Sequence, residues 1–181
     1  MNIAVFCSSS NLISEKYKKA AFQLAEMIAE NEDALVYGGA TGGLMDSVAE
    51  GAHSKNGKII GVIPQAVIRM NRQSSLPTKL ITVETMSERK AKMKELTDIF
   101  VVLPGSYGTL DEMLDIIASG VVGEHKKPMI IVNQDGFYNQ FFSQINLMRS
   151  ELFIPTVENY KPLIVDNINQ CIELITQFKN S

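Results

Sequence analysis

Residues 99–112 read Ile-Phe-Val-Val-Leu-Pro-Gly-Ser-Tyr-Gly-Thr-Leu-Asp-Glu. Five apolar residues in succession, 99–103, form a strand without polar alternation, the pattern of a strand covered on both faces. Pro104 and Gly105 end it, and a helical pattern opens beyond. A buried strand that turns through glycine into a helix presents backbone N–H groups at the positive end of the helix dipole, where a phosphate can sit. Glu112 is expected in the first helical turn, where its carboxylate would repel such a phosphate. The combination suits a ligand with two unlike ends, a phosphate for the amides and another part, such as a sugar, for the acid.

The pattern of this stretch repeats along the chain. Strands are expected at 3–7, 34–37, 58–63, 79–83, 99–103, 129–132 and 163–165. Helices are expected at 14–30, 43–56, 87–96, after Thr109, at 136–150 and at 166–178. Apolar strands separated by helices indicate an α/β fold, a Rossmann-like doubly wound sheet, mostly parallel, with helices on both faces. With 181 residues and 45% hydrophobic composition, the chain suits one domain, 1–181, with a substantial core. The least regular segment, 65–78, leaves the carboxyl end of a strand, where open α/β sheets bind ligands. It is either functional or a surface excursion.

A net charge of −3, without a basic tract or stripe, argues against nucleic acid as a partner. The amino-terminal residues lack the basic and long apolar regions of a signal peptide, and no apolar run approaches membrane-spanning length. A soluble cytoplasmic protein is expected. Cys7 and Cys171 read as reduced core thiols. His53 and His125 belong to no metal-ligand spacing, so no metal site is expected.

Loops 8–10, 38–43 and 85–90 also leave strand carboxyl ends and can line one crevice with 104–112. The glycines of 38–43 either admit a ligand close to the backbone or only permit tight turns. No Gly-Lys-Ser/Thr follows them and the dinucleotide spacing is missing, so neither a P-loop nor an NAD site is expected. Ser87 is a candidate N-cap, with Arg89 and Lys90 in the helical turn after it, where bases oppose the dipole. Those bases either meet an external anion or pair with Glu84 or Glu88.

With these motifs in order, namely 37–45, 61–64, 86–91, 104–112, 125–128 and 136–138, the chain resembles the LONELY GUY (LOG) family nearly end to end. Those cytokinin-activating phosphoribohydrolases were formerly labelled lysine decarboxylases. The resemblance implies a homodimer that hydrolyses the N-glycosidic bond of a nucleoside 5′-monophosphate, AMP or an N6-substituted AMP, without metal or redox cofactor. It implies Arg89 and Glu112 as the catalytic pair, Glu112 being kept ionised by its helix N-terminus. Substrate and phosphate contacts are expected at Ser8, Gly38, Gly39, Thr41, Gly42, Gly43, Met45, Lys90, Gly105, Ser106, Tyr107, Gly108, Thr109 and Asp111. The chain departs from the family pattern at Asn71, Ser87, Ser106 and 118–123. A nucleotide-binding protein without turnover is therefore the alternative. The apolar circumference of 110–122 suits a dimer interface or burial within one subunit.

Overall fold

The computed structural model describes residues 1–155 and 159–180. All seven expected strands form: β1 (Asn2–Phe6), β2 (Ala34–Tyr37), β3 (Lys58–Pro64), β4 (Lys79–Val83), β5 (Ile99–Val102), β6 (Met129–Val132) and β7 (Leu163–Val165). They make one sheet in the order β4-β3-β2-β1-β5-β6-β7, and every pairing is parallel. The chain winds outward from β1 in one direction and then, from β5, in the other. The switch point lies between β1 and β5, where Val5 and Phe6 pair with Val101 and Val102.

The connections contribute α1 (Glu15–Glu30), α2 (Gly43–Ser54), α3 (Gln65–Arg69), α4 (Met86–Leu96), α5 (Tyr107–Val121), α6 (Asn139–Ser150) and α7 (Ile168–Lys179). Side-chain alternation along the strands divides the core in two. Ile3, Val5, Leu35, Tyr37, Val101 and Val132 pack with Leu24 and Ile28 of α1, Val48 of α2 and Ile175 of α7. Ala4, Phe6, Val36, Phe100, Val102 and Ile131 pack on the other face against Met93 of α4 and Met113 and Ile116 of α5. Each large side chain so buried contributes about 1.5–3 kcal/mol relative to exposure. Strands flanked by both layers cannot alternate in polarity, which is why they read as continuous apolar runs.

Several helix starts differ from expectation. Thr85, not Ser87, is the N-cap of α4, its Oγ1 accepting from Glu88 N at 3.1 Å, and the Glu88 carboxylate accepts in turn from Glu84 N at 3.0 Å. This exchange resembles a capping box and offsets the cost of the bases in α4. The helix expected from 136 begins at Asn139, because Asp135 (φ 54°) and Gly136 (φ 71°) take left-handed conformations in a single 3-10 turn. Asn167 caps α7 through Gln170 N at 3.1 Å, so that helix starts at Ile168. Segment 65–78 contains the short α3. Among the described residues no helix is long and apolar enough to cross a membrane.

Candidate active site

Loops at the carboxyl ends of β1, β2, β3 and β5 enclose a cleft of about 200 Å³ at the switch point. Its walls are Cys7, Ser8 and Ser9 after β1, Gly38 and Ala40 after β2, Met45 of α2, Pro64 at the end of β3, and Val67 and Arg72 beyond it. Met86 and Arg89 of α4 and Ser106, Gly108, Thr109 and Glu112 of α5 complete it. A larger hollow of about 650 Å³ lies at the opposite edge of the sheet, beside Glu30, Asp33, Lys55 and Lys58. That is the amino-terminal edge, away from where open parallel sheets bind ligands.

At the base of the cleft Arg89 and Glu112 form a buried ion pair. Both residues are almost wholly shielded, at 5% and 3% exposure. Arg89 Nη1 donates to Glu112 Oε1 at 2.5 Å, and Arg89 Nε donates to the Val62 carbonyl at 3.1 Å. Arg89 Nη2 makes no hydrogen bond among the described residues and occupies the space above Gly38, where a Cβ would lie 2.2 Å from it. Gly38 is therefore a seat for the guanidinium. The pair answers the question left open for Arg89, whose partner is neither Glu84 nor Glu88.

Glu112 departs from expectation in two respects. Helix α5 begins at Tyr107, with Ser106 as N-cap, so Glu112 falls in the second turn, beyond the reach of most of the dipole effect. Burial pushes its carboxyl up from the ordinary value, while the charge and hydrogen bond of Arg89 pull it back. Arg89, and not the helix terminus, is what favours the ionised form. Burial also pushes the neighbouring Cys7 thiol up, and the charge of Glu112 adds to that, so Cys7 is neutral.

Backbone donors show which of the two glycine turns is open to an anion. At the start of α2, Thr41 N donates to the Arg72 carbonyl at 2.7 Å, Gly43 N to Asn11 Oδ1 at 2.9 Å and Leu44 N to the Ser8 carbonyl at 2.9 Å. Those amides are occupied. At α5 the first bonded amide is Leu110 N, donating to the Ser106 carbonyl at 2.9 Å, and Ser106 provides no side-chain cap. The N–H groups of Tyr107, Gly108 and Thr109 have no acceptor among the described residues, so donors are free in the turn where an anion cradle was expected.

Of the residues expected to bind ligand, Ser8, Gly38, Met45, Ser106, Gly108 and Thr109 line the cleft with Arg89 and Glu112. Others do not line it. Gly39 backs onto Ile63 and Leu80, while Gly42 and Gly43 lie against the Ser9 and Ser10 carbonyls. The Thr41 hydroxyl faces the Arg72 carbonyl at 3.3 Å. Gly105 belongs to an adjoining hollow with Tyr17 and Phe137. Tyr107 is 90% exposed. Lys90 and Asp111 pair with each other at 2.8 Å, and Lys90 also reaches Asp115 at 3.3 Å. The cleft adds Cys7, Ser9, Val67 and Arg72, for which only their position at or beyond strand carboxyl ends gave a sign, and Ala40, Pro64 and Met86, which lie in motifs that carry the family resemblance.

Fold and cleft together define a doubly wound α/β protein with a cleft at its switch point. Solved structures of that architecture include a molybdenum cofactor binding protein from the phototrophic bacterium Rippkaea orientalis (24% identity, 98% of this chain and 96% of that one, TM-score 0.73). Another is the molybdenum cofactor carrier protein of Chlamydomonas reinhardtii (19% identity, 99% and 98%, TM-score 0.72). At that identity the likeness is one of fold. Residues 45–175 match the family described as "Possible lysine decarboxylase". A cytokinin riboside 5′-monophosphate phosphoribohydrolase of Arabidopsis thaliana is 34% identical over 97% of this chain and 83% of its own length. A protein of the same description from Oryza sativa subsp. japonica is 40% identical over 84% of this chain and 63% of its own length. The chain belongs to this family, the LOG family.

Proposed function

We propose that the protein is a phosphoribohydrolase that cleaves the N-glycosidic bond of a nucleoside 5′-monophosphate, AMP or an N6-substituted AMP, giving free base and ribose 5-phosphate. The observation that carries this reading is the buried Arg89–Glu112 pair beside the unspent amides of α5. Those amides take the 5′-phosphate. The enclosed cleft, at about 200 Å³, is smaller than the ~300–1,000 Å³ of most ligand pockets, so it holds the ribose phosphate while the base lies toward the open mouth.

The reaction follows from the charges. As the bond from C1′ to the base nitrogen breaks, positive charge builds on the ribose, and the Glu112 carboxylate stabilises it and orients water toward C1′. Water supplies the hydroxyl that remains on ribose, and its proton leaves with the base. Arg89, fixed through Nε to Val62 and through Nη1 to Glu112, holds the carboxylate in place. Its Nη2 is left to grip the ribose phosphate. Decarboxylation of an amino acid has less support, since that chemistry recruits pyridoxal phosphate through a lysine Schiff base, and no lysine among the described residues lines the cleft.

The same proposal makes the protein a cytoplasmic homodimer. Burial of both free thiols fits a reducing compartment. Leu114 and Val121 of α5 are partly exposed, α6 buries no residue, and an apolar groove lies between these helices, walled by Ile117, Phe141 and Phe142. A second copy covering this face would remove it from water. Light scattering should then give twice the 20.0 kDa chain mass. For the activity, purified protein is incubated with AMP and N6-substituted AMP while free base is followed, and no base from any nucleotide would reject the reading.

A further inference from the structure

Arg72 stands out among the charged groups that the catalytic account leaves unused. Among the described residues three charged side chains line the cleft, namely Arg72, Arg89 and Glu112. Arg89 and Glu112 neutralise each other, so the excess charge of the cleft is that of Arg72. Its Nη2 donates to two neutral acceptors, the Thr41 carbonyl at 2.9 Å and the Ser9 carbonyl at 3.4 Å. Among the described residues its Nε and Nη1 have no partner, and no carboxylate pairs with it. A guanidinium keeps its charge at any working pH and offers a fork of donors suited to phosphate.

The local backbone aims this side chain inward. Helix α3 ends in a Schellman turn, with Asn71 N donating to the Ile68 carbonyl at 2.8 Å and Arg72 N approaching the Val67 carbonyl at 3.4 Å. Asn71 takes the left-handed conformation (φ 55°), which asparagine tolerates. The turn returns the chain to the loop after β2, where the Arg72 carbonyl accepts from Thr41 N at 2.7 Å. Gly42 leaves room for the guanidinium, which a Cβ there would approach to 3.3 Å. The tip is thereby held across the loops of β1 and β2, beside the β5 turn that bears the free amides.

We propose that Arg72 is the cleft's phosphate-binding cation, supplying from the β3 side the countercharge that the neutralised Arg89 does not give. This assignment rests on the nucleotide reading for its ligand and deepens it. A phosphate monoester carries about −1.5 to −2 at neutral pH, and the neutral amides of α5 meet only part of that. A charge-assisted contact predicts that Arg72→Gln weakens binding by about 10- to 100-fold.

The test is calorimetric titration with ribose 5-phosphate and, separately, with adenosine. Arg72→Gln should weaken ribose 5-phosphate by that factor and leave adenosine unchanged, and Arg72→Lys should recover much of the loss. In the wild-type chain, saturating ribose 5-phosphate should shield Arg72 from phenylglyoxal, read by mass spectrometry, so the assignment is tested even if the variants fail to fold. Wild-type protein that does not bind ribose 5-phosphate would overturn the assignment. So would unchanged affinity in Arg72→Gln, equal weakening of both ligands, or Arg72 labelled despite bound ligand. Binding of ribose 5-phosphate by a protein that releases no base would remove the hydrolase reading and leave Arg72 its role.

Discussion

Adding one methyl group at Gly38 would disturb the buried pair without altering either of its members. In Gly38→Ala the new Cβ would lie 2.2 Å from Arg89 Nη2 and 2.9 Å from Met45 Cε. Met45 ends in a flexible side chain and can yield. Arg89 cannot yield freely, because Nε is bonded to the Val62 carbonyl at 3.1 Å and Nη1 to Glu112 at 2.5 Å. The guanidinium must withdraw by about 1 Å, and a misplacement of that size can cost about 100-fold in rate. Overpacking of this kind costs about 1–3 kcal/mol. At roughly 2–4 °C per kcal/mol for a chain of this size, Tm should fall by several degrees while the protein remains folded. The assay is steady-state release of base from AMP alongside a thermal melt. Wild-type kcat in a folded Gly38→Ala variant would refute the claim that Gly38 exists to seat Arg89 for catalysis.

Glu112→Gln keeps the shape of the side chain and removes its charge, so kcat should fall by about 10²- to 10⁴-fold in the same assay. Because burial raises the Glu112 carboxyl and catalysis needs it ionised, kcat/KM should decline toward acid with a midpoint above the ordinary glutamate value of about 4.3. A limb at or below that value would contradict the burial argument. The linked stability runs the other way: Glu112's contribution is fully present below the unfolded value and lost as pH rises through the folded one. Thr85→Ala should cost about 1 kcal/mol through loss of the cap of α4, whereas Ser87→Ala should leave the thermal melt within about 0.5 kcal/mol of wild type. At Gly108 a Cβ meets nothing within 4 Å. Gly108→Ala should therefore gain roughly 0.5–1 kcal/mol of stability while crowding the phosphate and raising KM for AMP.

The sheet was legible because its strands are buried on both faces, which leaves runs such as 99–103 with no polar residue to confuse them. The α5 turn was legible for a related reason, since Pro104 and Gly105 stop a strand and a helix must follow. Arg89 was tied to Glu112 only by the family resemblance, since the residue pattern alone left it an external anion or a pair with Glu84 or Glu88. What buries it is the Val62 carbonyl, the bare Cα of Gly38 and the Glu112 carboxylate, all distant in the chain. Lys90, its neighbour in sequence, points elsewhere and meets Asp111 and Asp115. The glycines of 38–43 read as one motif yet divide in function: Gly38 seats Arg89, while Gly42 and Gly43 pack against the 9–10 backbone. Arg72 was hidden by a turn whose asparagine takes a conformation that no hydrophobic pattern reveals.

In the proposed reaction a Glu112 carboxylate fixed by Arg89 drives hydrolysis of the glycosidic bond of a nucleotide held by its 5′-phosphate. The most direct test is product identification by chromatography after incubating AMP with wild-type protein and with folded Glu112→Gln at equal concentration. Wild-type protein should give equimolar free adenine and ribose 5-phosphate, and the variant a rate lower by at least about 100-fold. Intact AMP in both reactions, or equal base release from both, would contradict this mechanism.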